Sequence, residues 1–271
     1  MMRTFSTLSI LALLTLTACG GGDSEYGVSL NSSVNPNVSI NITNGGGNQN
    51  NTPDTNYLPE QQGQTMYWRD YLVYENGKAV RSPTYGQANA EDGYPQNDFR
   101  LMNLDGRQFQ MIPTGNMDKT VVETNHNGVR SMIGANLSYA RYGVVLYDNE
   151  KTDYVFYQGY ATDAKQMPQT GSAKYTGYAI AYRENDRAVS KGSSSFDVNF
   201  AAKTVQGTLT LDQFGTHSVQ AKIDGNEIVK VSNGGIHSGY FYGKNAQEMA
   251  GDFYAKHQNK EIYGNFGAKK K

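Results

Sequence analysis

Apolar and polar side chains alternate with a period of two along much of this chain. Phe196, Val198 and Phe200 fall on one face of an extended segment, Asp197 and Asn199 on the other. Val205, Leu209 and Leu211 alternate with Gln206, Thr208 and Thr210, and Val219, Ala221 and Ile223 repeat the pattern. Successive side chains of a strand point to opposite faces, so this alternation predicts strands with one buried face. No long stretch keeps a helical period; residues 246–249 predict a single helical turn at most. Between the runs stand Asn76-Gly77, Asp105-Gly106, Asn127-Gly128, Asp224-Gly225 and Asn233-Gly234. Such pairs supply the positive φ of two-residue hairpin turns. Residues 142–146 and 154–160 read as one hairpin. After Met167-Pro168-Gln169-Thr170-Gly171, about eight short strands follow at a spacing of roughly 8–12 residues. Eight antiparallel strands suffice for a small barrel filled by its own side chains and lacking a free edge. The fold class predicted is all-β: an irregular β-rich unit over residues 57–166, then an eight-stranded antiparallel β-barrel over residues 167–271.

Composition supports this. The chain holds 20 Tyr and 30 Gly among 271 residues, and leucine is scarce beyond the first residues. Tyr suits half-buried pleated surfaces, and Gly marks turns and bulges. Residues 19–56 are different: Gly, Asn, Ser and Thr dominate, with Gly20-Gly21-Gly22 and Gly45-Gly46-Gly47. So little apolar surface cannot offset the entropy of ordering, and the segment is expected to be a flexible, disordered tether. Within it Val38, Ile40 and Ile42 alternate with polar residues; they are read as a patch in coil, with a short edge strand as the alternative. The formal net charge of −1 gives no field that would gather nucleic acid. Lysines 269–271 read as a solvated end.

The amino terminus adds an address. Arg3 precedes an apolar run of roughly ten residues, about half of what spans a bilayer. The run closes on Leu16-Thr17-Ala18-Cys19, which resembles the lipobox of bacterial lipoproteins. That resemblance implies a signal peptide over residues 1–18, cleavage between Ala18 and Cys19, and lipidation of Cys19. Several acyl chains on one residue give stable anchoring where one chain is marginal. Cys19 is the one cysteine of the chain, so the folded part holds no internal disulfide. Gly20 instead of Asp after Cys19 implies the outer membrane of a Gram-negative bacterium.

The last third resembles the β-barrel of the transferrin-binding protein B superfamily of surface lipoproteins. The stretch from Met167-Pro168-Gln169-Thr170-Gly171 to Tyr175-Thr176-Gly177 is similar to its opening strand. Ser195-Phe196-Asp197-Val198-Asn199-Phe200 and Lys203-Thr204-Val205-Gln206-Gly207-Thr208-Leu209 are similar to its second and third strands. Gly239-Tyr240-Phe241-Tyr242-Gly243, with Ala246, Glu248, Gly251 and Phe253, resembles a later hairpin, and Ile262-Tyr263-Gly264-Asn265-Phe266-Gly267 the closing strand. The resemblance implies a single lobe, with residues 57–166 as a handle-like domain beside the barrel. It is the layout of haemoglobin-binding lipoproteins, haemophilin-like haem-binding proteins and factor H-binding protein. It implies a receptor, displayed on the cell exterior by a surface-lipoprotein translocator, that captures a host iron or haem carrier, or haem itself. A TonB-dependent transporter would then be the downstream partner. The alternatives are a host-interaction protein that binds a complement regulator or a matrix component, and a lipoprotein facing the periplasm.

No catalytic motif appears: no Gly-x-Ser-x-Gly, no His-Glu-x-x-His and no phosphate-binding Gly loop, and Glu91-Asp92 reads as a solvated loop. The chain is therefore expected not to be an enzyme. It is expected to carry no metal and no resident cofactor, haem being considered only as transported ligand. His126, His217, His237 and His257 stand apart in sequence. His126, at the tip of Thr124-Asn125-His126-Asn127-Gly128, is the candidate haem ligand, set against an ordinary solvated turn residue. Tyr67, Trp68, Tyr71 and Tyr74 form an aromatic cluster of a kind that anchors interfaces or packs one domain on another. An unbroken strand would put Tyr67 and Tyr71 on one face, Trp68 and Tyr74 on the other. The long connection over residues 85–99, with Tyr94, is a candidate binding loop.

Overall fold

The computed structural model of the chain describes residues 27–32, 38–43, 66–81, 85–87, 101–104, 107–110, 120–231 and 235–271. Nearly all of them lie in strands, as the alternation requires. Asn76-Gly77 and Asn127-Gly128 take successive positive φ angles, 50° and 77° in the first, 48° and 77° in the second. Two left-handed residues in a row make the hairpin turn whose twist matches the strands it joins.

The handle-like half comprises two sheets. One contains β1 (Gly27–Ser32), β2 (Val38–Thr43), β6 (Leu101–Leu104) and β7 (Arg107–Gln110), in the order β1-β2-β7-β6. The other contains β3 (Met66–Glu75), β4 (Lys78–Arg81), β5 (Tyr85–Gln87), β8 (Val121–His126), β9 (Val129–Gly134), β10 (Ala140–Tyr147) and β11 (Thr152–Tyr160). Its order is β4-β3-β11-β10-β9-β8, and β5 also pairs with β3. The hairpin expected from residues 142–146 and 154–160 is β10–β11.

Within the segment expected to be a tether, residues 27–32 and 38–43 pair as an antiparallel hairpin and Ile40 pairs with Phe109, which is the edge-strand alternative for Val38, Ile40 and Ile42. Two expectations are corrected. Residues 246–249 form no helical turn: Asn245 and Ala246 both have positive φ, and Glu248 already starts a strand. Strand β3 is not unbroken. Its register with β11 shifts between Phe156 and Tyr157, which pair with Tyr71 and Arg69.

A 3-10 turn at Ala164–Gln166 leads into the barrel. Its strands are β12 (Ser172–Arg183), β13 (Ala188–Asn199), β14 (Thr204–Leu211), β15 (Gly215–Asp224), β16 (Glu227–Lys230), β17 (Gly235–Tyr242), β18 (Glu248–His257) and β19 (Lys260–Lys270). Each pairs with the next, and β19 closes on β12. The interior is filled by Phe196, Phe214, Phe241, Phe253, Phe266 and aliphatic neighbours. Phe196 and Phe266 meet at 4.8 Å between ring centroids, and Phe200 and Tyr175 each lie 5.9 Å from Phe241.

The barrel's outer wall at β12 and β17–β19 carries the handle. Tyr142, Tyr157, Tyr182, Tyr240 and Tyr242 are buried in this seam with Val144, Leu146 and Ile180. Tyr142 lies between Gly134 and Gly267: a Cβ at either would stand 2.1 Å from its ring. Tyr74, at the end of the aromatic cluster, packs 4.5 Å from the Tyr182 ring and 5.8 Å from Tyr263. It serves the packing role rather than an exposed one.

Candidate functional site

At one end of the seam the handle sheet and the barrel stand apart around a cleft, bridged at its lip by Glu123 and Lys191. In register, Glu123 stands beside Met132 and Val144, and Asn125 beside Arg130 and Leu146. Val144 and Leu146 belong to the barrel-facing cluster, so period two puts all six on that face. Val189 of β13 faces them across a cleft of about 280 Å³. Its floor is apolar (Met132, Val144, Leu146, Val189) and its mouth polar (Glu123, Asn125, Arg130). Clefts at domain junctions with this division of labour are the usual place for ligands.

Ion pairs frame the mouth. Lys191 of the barrel donates to Glu123 Oε1, and that hydrogen bond holds the Lys191 pKa above its ordinary value. On the other side Arg130 donates to Asp148 from Nε and Nη2, at 2.6 and 2.9 Å. The hydrogen bond from Arg130 holds the Asp148 carboxyl below the usual carboxylate range. Behind it, Arg187 of the β12–β13 turn donates to both oxygens of buried Asp153 and reaches Asp148 at 3.1 Å. The Tyr182 hydroxyl donates to the same Asp153 at 2.7 Å. At the far end of the seam Glu248 is buried and accepts 2.7 Å hydrogen bonds from the N–H groups of Ser138 and Tyr139. Burial still outweighs them and raises its pKa.

The residues singled out from sequence are not brought together here. His126 ends β8 on the opposite face, in line with Thr124 and with Val122, which packs against the inter-sheet core of the handle; His126 itself is half-buried. His217 Nε2 lies 3.0 Å from the Phe214 carbonyl, and His237 Nδ1 lies 3.3 Å from Asp252. Among the described residues no three His, Cys, Asp or Glu side chains cluster as a metal would need. Tyr67, Trp68 and Tyr71 are on β3, four strands from β8. Tyr94, Ala18 and Cys19 lie outside the described residues. Sequence reasoning missed Glu123, Arg130, Val189 and Lys191. The available signal was the alternation of Val121-Val122-Glu123-Thr124-Asn125, but nothing in it names a partner strand 60 residues away.

A shallower depression of about 470 Å³ on the outer wall of β12–β14 is lined by Lys174, Asp197, Asn199 and Gln206. Its side chains are solvated, and its Lys174–Asp197 pair spans 3.3 Å between exposed groups.

Residues 167–270 match the family described as the C-lobe and N-lobe β-barrels of Tf-binding protein B. The chain is 28% identical over 191 residues to transferrin-binding protein B of Neisseria meningitidis serogroup B, covering 58% of this chain and 32% of that protein. A protein of Haemophilus influenzae described only as uncharacterized is 34% identical over 144 residues, 48% of this chain and 47% of its own length. The chain thus spans about a third of the length of the first curated relative. Among solved structures, transferrin-binding protein B of Haemophilus parasuis Hp5 aligns with a TM-score of 0.55 at 23% identity, over 76% of this chain and 45% of that one. The Neisseria meningitidis serogroup B protein aligns at 0.54 and 24%, over 76% and 43%. At this identity the structural likeness is one of fold.

Proposed function

Because the chain carries a barrel domain of the Tf-binding protein B family and is transferrin-binding protein B-like, we propose that it is a non-enzymatic receptor. It would be a surface-exposed outer-membrane lipoprotein that captures a host iron or haem carrier. The observation that carries this reading is the 191-residue match to a protein named for binding transferrin, longer than the barrel itself. The filled barrel interior supports it physically, since binding then falls to the handle, the seam cleft and the loops. Cys19 would hold the lipid anchor, residues 19–56 would space the receptor from the membrane, and a TonB-dependent transporter would receive the iron source.

The test is capture by the purified soluble part of transferrin and haemoglobin, with free haem followed by its Soret band. Failure of all three to bind would end the receptor reading. If haem binds, His126→Ala is expected to shift the Soret band, and an unchanged spectrum removes His126 as ligand. Tyr67, Trp68, Tyr71 and Tyr94 are the aromatic contacts proposed for a protein partner, and each alanine variant is expected to raise Kd. Radiolabelled palmitate should enter the wild type and not Cys19→Ala, and protease added to intact cells should remove the folded part.

A further inference from the structure

We propose that the outer edge of β8 and the cleft behind it take up an extended, uncharged segment of a partner polypeptide as an added strand. The proposal rests on the receptor reading only for the source of that segment.

Strand β8 is the last of its sheet, and among the described residues it pairs with β9 alone. The hairpin closes through the two-residue turn Asn127-Gly128. In such a turn the His126 carbonyl accepts from the Val129 N–H. Hydrogen-bonded pairs alternate along an antiparallel ladder, so Thr124 and Val122 also face β9. The N–H and C=O groups of Glu123 and Asn125 therefore point outward. An unpaired row of this kind is a template for another strand.

Three features specify the occupant. A residue bonded to Glu123 or Asn125 shares their face, which is the face of the cleft. There Met132, Val144, Leu146 and Val189 offer an apolar floor, so alternate side chains of the added strand are apolar. The charges at the mouth are matched within the chain, Glu123 by Lys191 and Arg130 by Asp148, so the segment needs no charge of its own. The volume of about 280 Å³ lies below the range of roughly 300–1,000 Å³ usual for small-molecule clefts. It takes one or two side chains and not a macrocycle. Backbone hydrogen bonds would give affinity, and the cleft specificity.

The experiment uses the full-length protein and a capped heptapeptide alternating Leu with Thr. Amide exchange at Glu123 and Asn125 should slow by about tenfold or more at saturating peptide. Asn125→Pro removes one outward N–H and leaves the bonds to β9, a position where edge strands accept proline; the gain at Glu123 should vanish. Val189→Phe fills the floor and should lose most of the gain, and it decides the matter if Asn125→Pro fails to fold. A peptide with Lys in place of Leu should protect nothing. Absence of protection in the wild type, or protection equal in both variants, would overturn the proposal. So would a concentration-dependent dimer dissolved by Asn125→Pro, which assigns the edge to pairing between copies. Failure of the carrier pull-down would end the receptor reading and leave the peptide result standing.

Discussion

The barrel has two walls, and they differ in what covers them. From Ser193 through β14 and β15 the inner face is apolar and the outer face meets water: Val205, Leu209, Leu211, Val219 and Ala221 are buried, while Gln206, Thr210, Gln220 and Lys222 are exposed. On β12 and β17–β19 the outer face is covered by the handle, and both faces are buried. Ala179, Ile180, Ala181 and Tyr182 are buried in succession, as are residues 248–253. The chemistry changes as well. The interior is mostly hydrocarbon and phenyl, with the Tyr175 hydroxyl donating to the Ala246 carbonyl as an exception, whereas the seam is tyrosine and hydrogen-bonded polar groups. Tyr142 donates to Asn136 at 2.7 Å, Tyr157 pairs with Ser238 at 2.8 Å, and Asn265 donates to the Phe156 carbonyl at 2.7 Å. A tyrosine ring buries area while its hydroxyl keeps a partner. The abundance of tyrosine in this chain is in large part the composition of a seam between two sheets.

The sharpest way to break this contrast is to remove the interior. Phe196 is buried and packs its ring at a tilt against Phe266, and Phe196→Ala should cost about 3–5 kcal/mol. Urea unfolding should show the barrel and handle signals lost together at a much lower midpoint. The seam should respond differently. Arg187→Ala leaves Asp153, which is 0% exposed, without its bidentate partner, and breaking a buried pair from one side costs about 3 kcal/mol. The loss should fall on the handle first, so amides of β10 and β11 exchange faster while those of β14 and β15 keep their protection. Uniform loss across both would mean that seam and interior form one cooperative unit.

This contrast also marks what was legible in the sequence. Strands facing water on one side announce themselves by alternation, so Phe196 to Ile223 could be assigned in register. The Asn-Gly turns were legible because two successive left-handed residues leave few alternatives. The seam was not. A strand buried on both faces has no alternation to read, and Arg187 looks like any residue in a polar turn until Asp153 is placed opposite it. The cleft was hidden for the same reason, since Glu123 and Val189 meet only after two domains dock. His126 shows the converse: a conspicuous residue at a turn tip, which the register of β8 places on the face away from the cleft.

Charge at the seam can be separated by pH. Burial raises the Glu248 pKa, so the folded state holds the proton more tightly than the unfolded chain. Its contribution is full below the unfolded value and is lost as pH rises through the folded one. Asp186 is held down to about 2 despite some burial, through hydrogen bonds from Arg183 and Lys260, and Asp148 is lowered by Arg130. Their contributions are present above the ordinary carboxylate range and fade as pH falls. The two trends run in opposite directions, the aspartate contributions growing up to the ordinary carboxylate range and the Glu248 contribution falling above it. Glu248→Gln removes the first and leaves the second, so its stability should climb more steeply with pH than that of the wild type. Parallel urea midpoints at pH 4.5 and 7 in the two proteins would mean that Glu248 does not change its protonation state between them.

The smallest expected effect tests burial as the variable that separates the two ion pairs spanning the seam. Arg187 and Asp153 side chains are 12% and 1% exposed, Lys191 and Glu123 46% and 48%. Both pairs join barrel to handle with short hydrogen bonds, so geometry alone would rank them as equals. Solvent screening does not: an exposed pair contributes about 0.5 kcal/mol or less and weakens further with salt. Lys191→Ala should therefore leave the urea midpoint almost unchanged and remove its small dependence on ionic strength. A loss near that of Arg187→Ala would make the lip of the cleft structural, and the cleft mouth would then be fixed rather than free to open for an incoming strand.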